Sequence, residues 1–223
     1  MLIARRLAHW RSRLRRDDRG VSAIEFALGA PIFIILLLMG VDTARFVLAT
    51  RQVEDVAATI GQMISVNQSG TVNYIDLQFF HDSAMVIYPQ VLSDSAQQQL
   101  SWSNDINISL ASIQFTTTPS SCTSNCTYVP KVLWTGGSVP RSCTVMPTSV
   151  SDTTRPSSST LPADVYGSGS IIVVDVSFAF RPTIAPQLLK TLTIARSYYV
   201  APRYVPTINY AKVSGDNGIA KSC

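Results

Sequence analysis

Residues 21–41 read VSAIEFALGAPIFIILLLMGV, an apolar run whose one ionisable side chain is Glu25. At 1.5 Å per residue a helix of that length measures about 31 Å, the thickness of a bilayer's hydrocarbon core. The flanks give the run a direction. Arg5, Arg6, Arg11, Arg13, Arg15, Arg16 and Arg19 precede it, against Asp17 and Asp18, so the first 20 residues carry +5 of a chain whose net charge is +4. Asp42, Glu54 and Asp55 follow it, mixed with Arg45 and Arg51. Positive charge stays on the cytoplasmic side of a span, which puts Met1 in the cytoplasm and the C-terminal body outside.

Working outward, the run is too long for the apolar region of a secretory signal, about 7 to 15 residues, and no A-x-A site follows it. An anchored protein is the better reading. Gly20 stands where charge gives way to apolarity, a flexible position that a protease at the inner membrane face can reach. Glu25 is a carboxylate five residues into the span, and intramembrane acids are costly enough to be read as functional by default.

The basic leader, Gly20, Glu25 as the fifth residue after it, and the continuation Phe26-Ala27-Leu28, Pro31 and Gly40 resemble the head of the TadE-like proteins of the tight-adherence (Flp) pilus system, relatives of the type IV pilins. Ile171 to Pro182 (IIVVDVSFAFRP) and Leu192 to Arg203 (LTIARSYYVAPR) are similar to paired strand segments near that family's C-terminus. Residues of about 100–170 carry no such likeness. The resemblance implies a minor pilin-like (pseudopilin) structural or assembly protein, cut between Gly20 and Val21 by a prepilin peptidase. It implies a sister pseudopilin, the major pilin and the assembly machinery as partners, with Glu25 as the assembly residue. The location implied is the bacterial inner membrane, with a cytoplasmic N-terminus, a periplasmic C-terminal domain, and incorporation into the pilus an open option. The alternative from another class is an uncleaved, single-pass envelope binding protein.

The domains expected are therefore a leader (1–20), a long helix (21–66) with its span at about 21–41, and an exported domain (67–223). The helical period continues through Val53, Val56, Ile60, Met63 and Ile64 until Asn67-Gln-Ser-Gly70. Leu77, Phe80, Ala84 and Ile87 predict a second helix ending near Pro89. Ile106, Ile108 and Leu110 alternate as in a strand, with Ile113 and Phe115 in the opposite phase, a slip that suggests a β-bulge. Tyr128–Trp134 is demoted by Pro130 to an edge strand at best. Val174–Phe180 and Leu192–Val200 predict an antiparallel pair. Together these give an α+β class, a transmembrane helix followed by a helix-plus-antiparallel-sheet domain. Residues 147–163, rich in Ser, Thr and Pro, read as an exposed loop too polar to pack.

Four cysteines, Cys122, Cys126, Cys143 and Cys223, fall on the exported side, where disulfides form. Three pairings exist, and the short spacing of Cys122 and Cys126 favours that pair, leaving Cys143 for Cys223. A zinc site lacks its second ligand pair. No G-x-S-x-G, H-E-x-x-H or phosphate-binding glycine loop occurs, so neither enzymatic activity nor a metal or cofactor is expected. Without a basic stripe interleaved with aromatics, nucleic acid is not an expected partner either.

Overall fold

A computed structural model describes the backbone of residues 19–155, 157–182 and 190–223, and side chains from residue 24 onward within them. The leader up to Asp18 lies outside the described residues, as does most of the loop expected between the last two strands. The chain divides into two compact units, Met1–Phe46 with Pro182–Lys190, and Val47–Arg181 with Thr191–Cys223.

One helix, α1 (Arg19–Ser65), runs for 47 residues, about 70 Å at the α-helical rise, with Pro31 inside it. Its end is chemically marked. Asn67 N donates to Ile64 O at 3.0 Å, Asn67 Oδ1 accepts from Gly70 N at 3.0 Å, and Gly70 takes φ of 71°, which glycine adopts without a Cβ clash.

The second unit places the C-terminal half of α1 against a sheet. Its strands are β2 (Ile106–Thr118), β3 (Thr127–Gly137), β6 (Gly169–Phe180), β7 (Leu192–Val200) and β9 (Ala220–Ser222), in the spatial order β7-β6-β2-β3-β9, antiparallel throughout. Short parallel pairs join β1 (Thr71–Val72) to β8 (Asn209–Tyr210) and β4 (Thr148–Val150) to β5 (Thr160–Pro162). The fold is α+β. Where the sequence predicts one helix over Leu77–Ile87 the structure has two, α2 (Tyr74–Asp82) and α3 (Ala84–Ile87), broken at Ser83, whose Oγ donates to Phe80 O at 2.6 Å. A hydroxyl bonded back to its own turn bends a helix in this way. Two more helices follow, α4 (Gln90–Gln97) and α5 (Trp102–Asp105).

The phase slip in β2 has a different origin from a bulge in that strand. β2 pairs with β6 in one unbroken register from Ile106↔Phe178 to Phe115↔Gly169, while against β3 the register shifts between Ser112↔Trp134 and Ile113↔Val132. The extra residue is thus Leu133, on β3. The apolar residues of β2 change phase because the sheet is buried on both faces, at different places. Leu110, Val174 and Tyr198 share the face toward α1, whose Val53, Val56, Ala57, Ile60 and Ile64 are buried. On the opposite face Ile113, Phe115, Val132, Val173 and Leu161 form a second apolar cluster. The bulge lets Trp134 and Val132, two residues apart, serve opposite faces, and Trp134 Nε1 donates to Ile208 O at 2.9 Å.

Leu161 belongs to the segment read as too polar to pack, and it is fully buried. Backbone pairing of β4 with β5, and one leucine set among hydroxyl residues, are sufficient to hold the segment on the sheet. Pro130 lies in the part of β3 that β9 does not cover, where a missing N–H costs no ladder bond.

Candidate functional site

The first half of α1 is the candidate site for assembly. Over it Phe26, Leu28, Phe33 and Leu37 are 67–76% exposed. Gly20 and Val21 both lie within the helix, so the charge boundary coincides with its first turn. Glu25 is exposed and has no hydrogen bond or ion pair among the described residues. Toward the other end of this half Asp42 is buried, with Arg45 Nη1 at 3.5 Å from its Oδ1.

In the second unit the polar chemistry gathers at two arginines that sequence reading did not single out. Arg141 is 1% exposed. Its Nε and Nη2 donate to Asp175 Oδ2 and Oδ1 at 2.8 and 3.0 Å, and its Nη1 donates to Thr160 O at 2.9 Å. Ser197 Oγ donates to the same carboxylate. A guanidinium's planar fork matches a carboxylate bidentately, and burial strengthens the pair when every donor is used. The arrangement pins the loop after β3 to the centre of the sheet's outer face. Register puts Asn107, Ser177 and Ala195 side by side across three strands, with Ser109, Asp175 and Ser197 as the next row. These small residues floor a shallow concavity of about 130 Å³, open at one side and bordered by Ser157 and Ser158. Burial pushes the neighbouring Tyr199 phenol up. The only sequence signal for this cluster was Asp175, one charged residue in an otherwise alternating strand.

Arg181 forms the second cluster. Its Nη1 donates to Asp94 Oδ2 and to Asp105 Oδ1, each at 2.7 Å. Near the C-terminus, burial and a 2.7 Å hydrogen bond to Asp216 push the Tyr210 phenol up to about 12, while that bond and the Gly218 N–H hold Asp216 below the usual carboxylate range.

The cysteines are joined as Cys122–Cys126, with Cα atoms 5.6 Å apart, and Cys143–Cys223, with Cα atoms 5.1 Å apart. The second bond closes a loop across 80 residues and ties the last residue to the segment that Arg141 anchors. In the chain-entropy picture a bond of that reach stabilises by about 4 to 5 kcal/mol. Among the described residues no group of three or more His, Cys, Asp or Glu is placed to hold a metal ion. His81 packs against Trp102, ring centroids 4.8 Å apart and the planes tilted by 43°.

A helix long and apolar enough to cross a membrane, continuing into a disulfide-bonded α+β domain, defines a protein with one candidate membrane span among its described residues. Residues 20–61, nearly all of α1, match the model of the family described as TadE-like protein. The head of the chain is thus similar to TadE-like proteins over those residues. The match stops within α1, so the likeness of the two C-terminal strands lies beyond it. No curated protein and no solved structure matches the chain.

Proposed function

We propose that this chain is a pseudopilin of a tight-adherence pilus, processed by a prepilin peptidase between Gly20 and Val21 and held in the inner membrane with its sheet domain in the periplasm. In this reading the apolar half of α1 packs beside sister pilins, and the protein acts in pilus assembly rather than catalysis. The observation that carries it is the single helix Arg19–Ser65, which bears the TadE-like match and leaves its first half apolar on all sides. A helix of that kind needs lipid or other helices around it.

The mature N-terminus is the test. Mass spectrometry of the membrane-fraction protein should find a start at Val21, and Gly20→Trp should leave a species heavier by the leader. A start at Met1 in the wild type would instead identify an uncleaved membrane-anchored envelope protein.

Cleavage also gives Glu25 a role. The new α-amino group of Val21 and the Glu25 carboxylate, four residues on, lie about 6 Å apart along the helix axis. Both are costly in hydrocarbon, and pairing across neighbouring subunits would neutralise them and fix the axial register. Glu25→Gln should leave cleavage and insertion intact while reducing co-purification with pilin partners. Assembly of that variant at the wild-type level would sink the pairing mechanism.

A further inference from the structure

The Arg181 cluster contains an imbalance that the Arg141 cluster lacks. Arg141 serves one carboxylate with two nitrogens, whereas Arg181 presents a single nitrogen, Nη1, to two carboxylates. The Asp105 side chain is fully buried, and its second oxygen, Oδ2, has no hydrogen-bond partner among the described residues. Asp94, at 17% exposure, stands against the same nitrogen. Two ionised carboxylates so placed would repel each other and leave a buried acceptor unsatisfied.

We propose that Asp94 and Asp105 hold one proton between them in the folded protein, donated from the Asp94 carboxyl to Asp105 Oδ2, with Arg181 balancing the charge that remains. That proton answers both defects, since it removes one negative charge and supplies the donor that the orphaned oxygen lacks. A protonated carboxylic acid is a donor as well as an acceptor. Burial and the neighbouring Asp105 raise Asp94 above the usual carboxylate range, outweighing the opposite pull of Arg181.

The other ionisable groups on the surrounding elements are placed elsewhere. α3 and β2 carry none. On α2, Asp76 accepts from Asn73 N at 2.9 Å, and His81, packed against Trp102 of α5, meets Asp82 at 3.3 Å. Asp175 of β6 is held by Arg141. Residues 182–189 contain no ionisable residue, and Lys190 after them is exposed.

The cluster is thus a proton-dependent fastening between α4, α5 and the end of β6. Its sign follows from a pKa raised on folding. The stabilisation is complete below the unfolded carboxyl's value, about 3.9, and is lost as the pH rises through the higher value of Asp94 in the folded protein.

The test is a carboxyl-carbon NMR titration of the full chain in detergent micelles, with aspartates labelled. It is made in an Asp164→Asn background, because Asp152 also raises the exposed Asp164. One aspartate should remain protonated after the others have ionised, and that signal should vanish in both Asp94→Asn and Asp105→Asn. Asp94→Asn retains an amide donor for Asp105 Oδ2, so its near-ultraviolet circular dichroism should match the parent's, and its melting temperature should no longer fall between pH 4 and neutrality. The proposal is overturned if every aspartate titrates in the ordinary range, or if the late signal persists in Asp94→Asn.

Discussion

The two halves of α1 are one continuous helix with opposite relations to their surroundings. From Val47 to Ser65 the apolar residues form a stripe, Val53, Val56, Ile60 and Ile64, each at 0% exposure, and the other positions are largely polar. From Ile24 to Phe46 apolar side chains lie on every side, and the most hydrophobic stretch is 0% buried. Both halves are α-helical, so the difference resides in the pattern of side chains. A striped helix is satisfied by one sheet face, whereas a helix apolar all round is satisfied only by an apolar medium or by several neighbours.

The sharpest way to break this comparison is to place the same charge in each half. Ile60→Asp would bury an unpaired carboxylate among α1 and the sheet, at a cost of more than about 4 kcal/mol, a large part of a domain's whole stability. The sheet domain should lose its protease resistance and its near-ultraviolet circular dichroism. Leu36→Asp should leave both unchanged and act instead on insertion, at about 2.5 to 3.5 kcal/mol for an aspartate near mid-membrane. Alkaline extraction of membranes reads that loss. If Leu36→Asp unfolded the sheet domain, or Ile60→Asp left it intact, the two halves would not divide the work as their patterns indicate.

The same contrast accounts for what could be read from sequence. α1, its stop at Asn67–Gly70 and the β6–β7 pair were legible because each rests on a local period bounded by turn residues. The doubly buried sheet was legible only as the phase slip in β2, since a bulge and a change of buried face leave the same mark on one strand. The partner that would distinguish them, Leu161, stands alone in a hydroxyl-rich segment where no period exists. Arg141 and Arg181 were invisible for a related reason. A buried arginine differs from a surface one by its partners, Asp175 at 34 residues' distance and Asp105 at 76, and sequence spacing carries no trace of either contact. Parallel pairs of two or three residues are too short to show any alternation.

Two glycines in α1 give the comparison its finest scale. A Cβ on Gly61 would come within 2.6 Å of Tyr198 Cδ1 and 3.5 Å of Val174 Cγ2, whereas one on Gly40 would meet no described atom within 4 Å. Both glycines sit inside the helix, where alanine is intrinsically favoured by about 0.5 to 1 kcal/mol. At Gly61 that gain is opposed by forcing a tyrosine ring out of a packed site, a kind of overfilling that costs about 1 to 3 kcal/mol. Overpacking wins, and Gly61→Ala should lower the sheet domain's melting temperature by about 2 to 4 °C for each net kcal/mol lost. Tyr198→Ala, introduced beside it, should relieve the clash, so the double variant should be more stable than the sum of the two single changes predicts, a coupling expected of residues in contact. Gly40→Ala meets no such opposition and lies in the half that the domain does not bury, so the domain should melt where the wild type does. Equal shifts from the two alanines would mean that α1 answers as a single body, and that the boundary near residue 46 has no energetic counterpart.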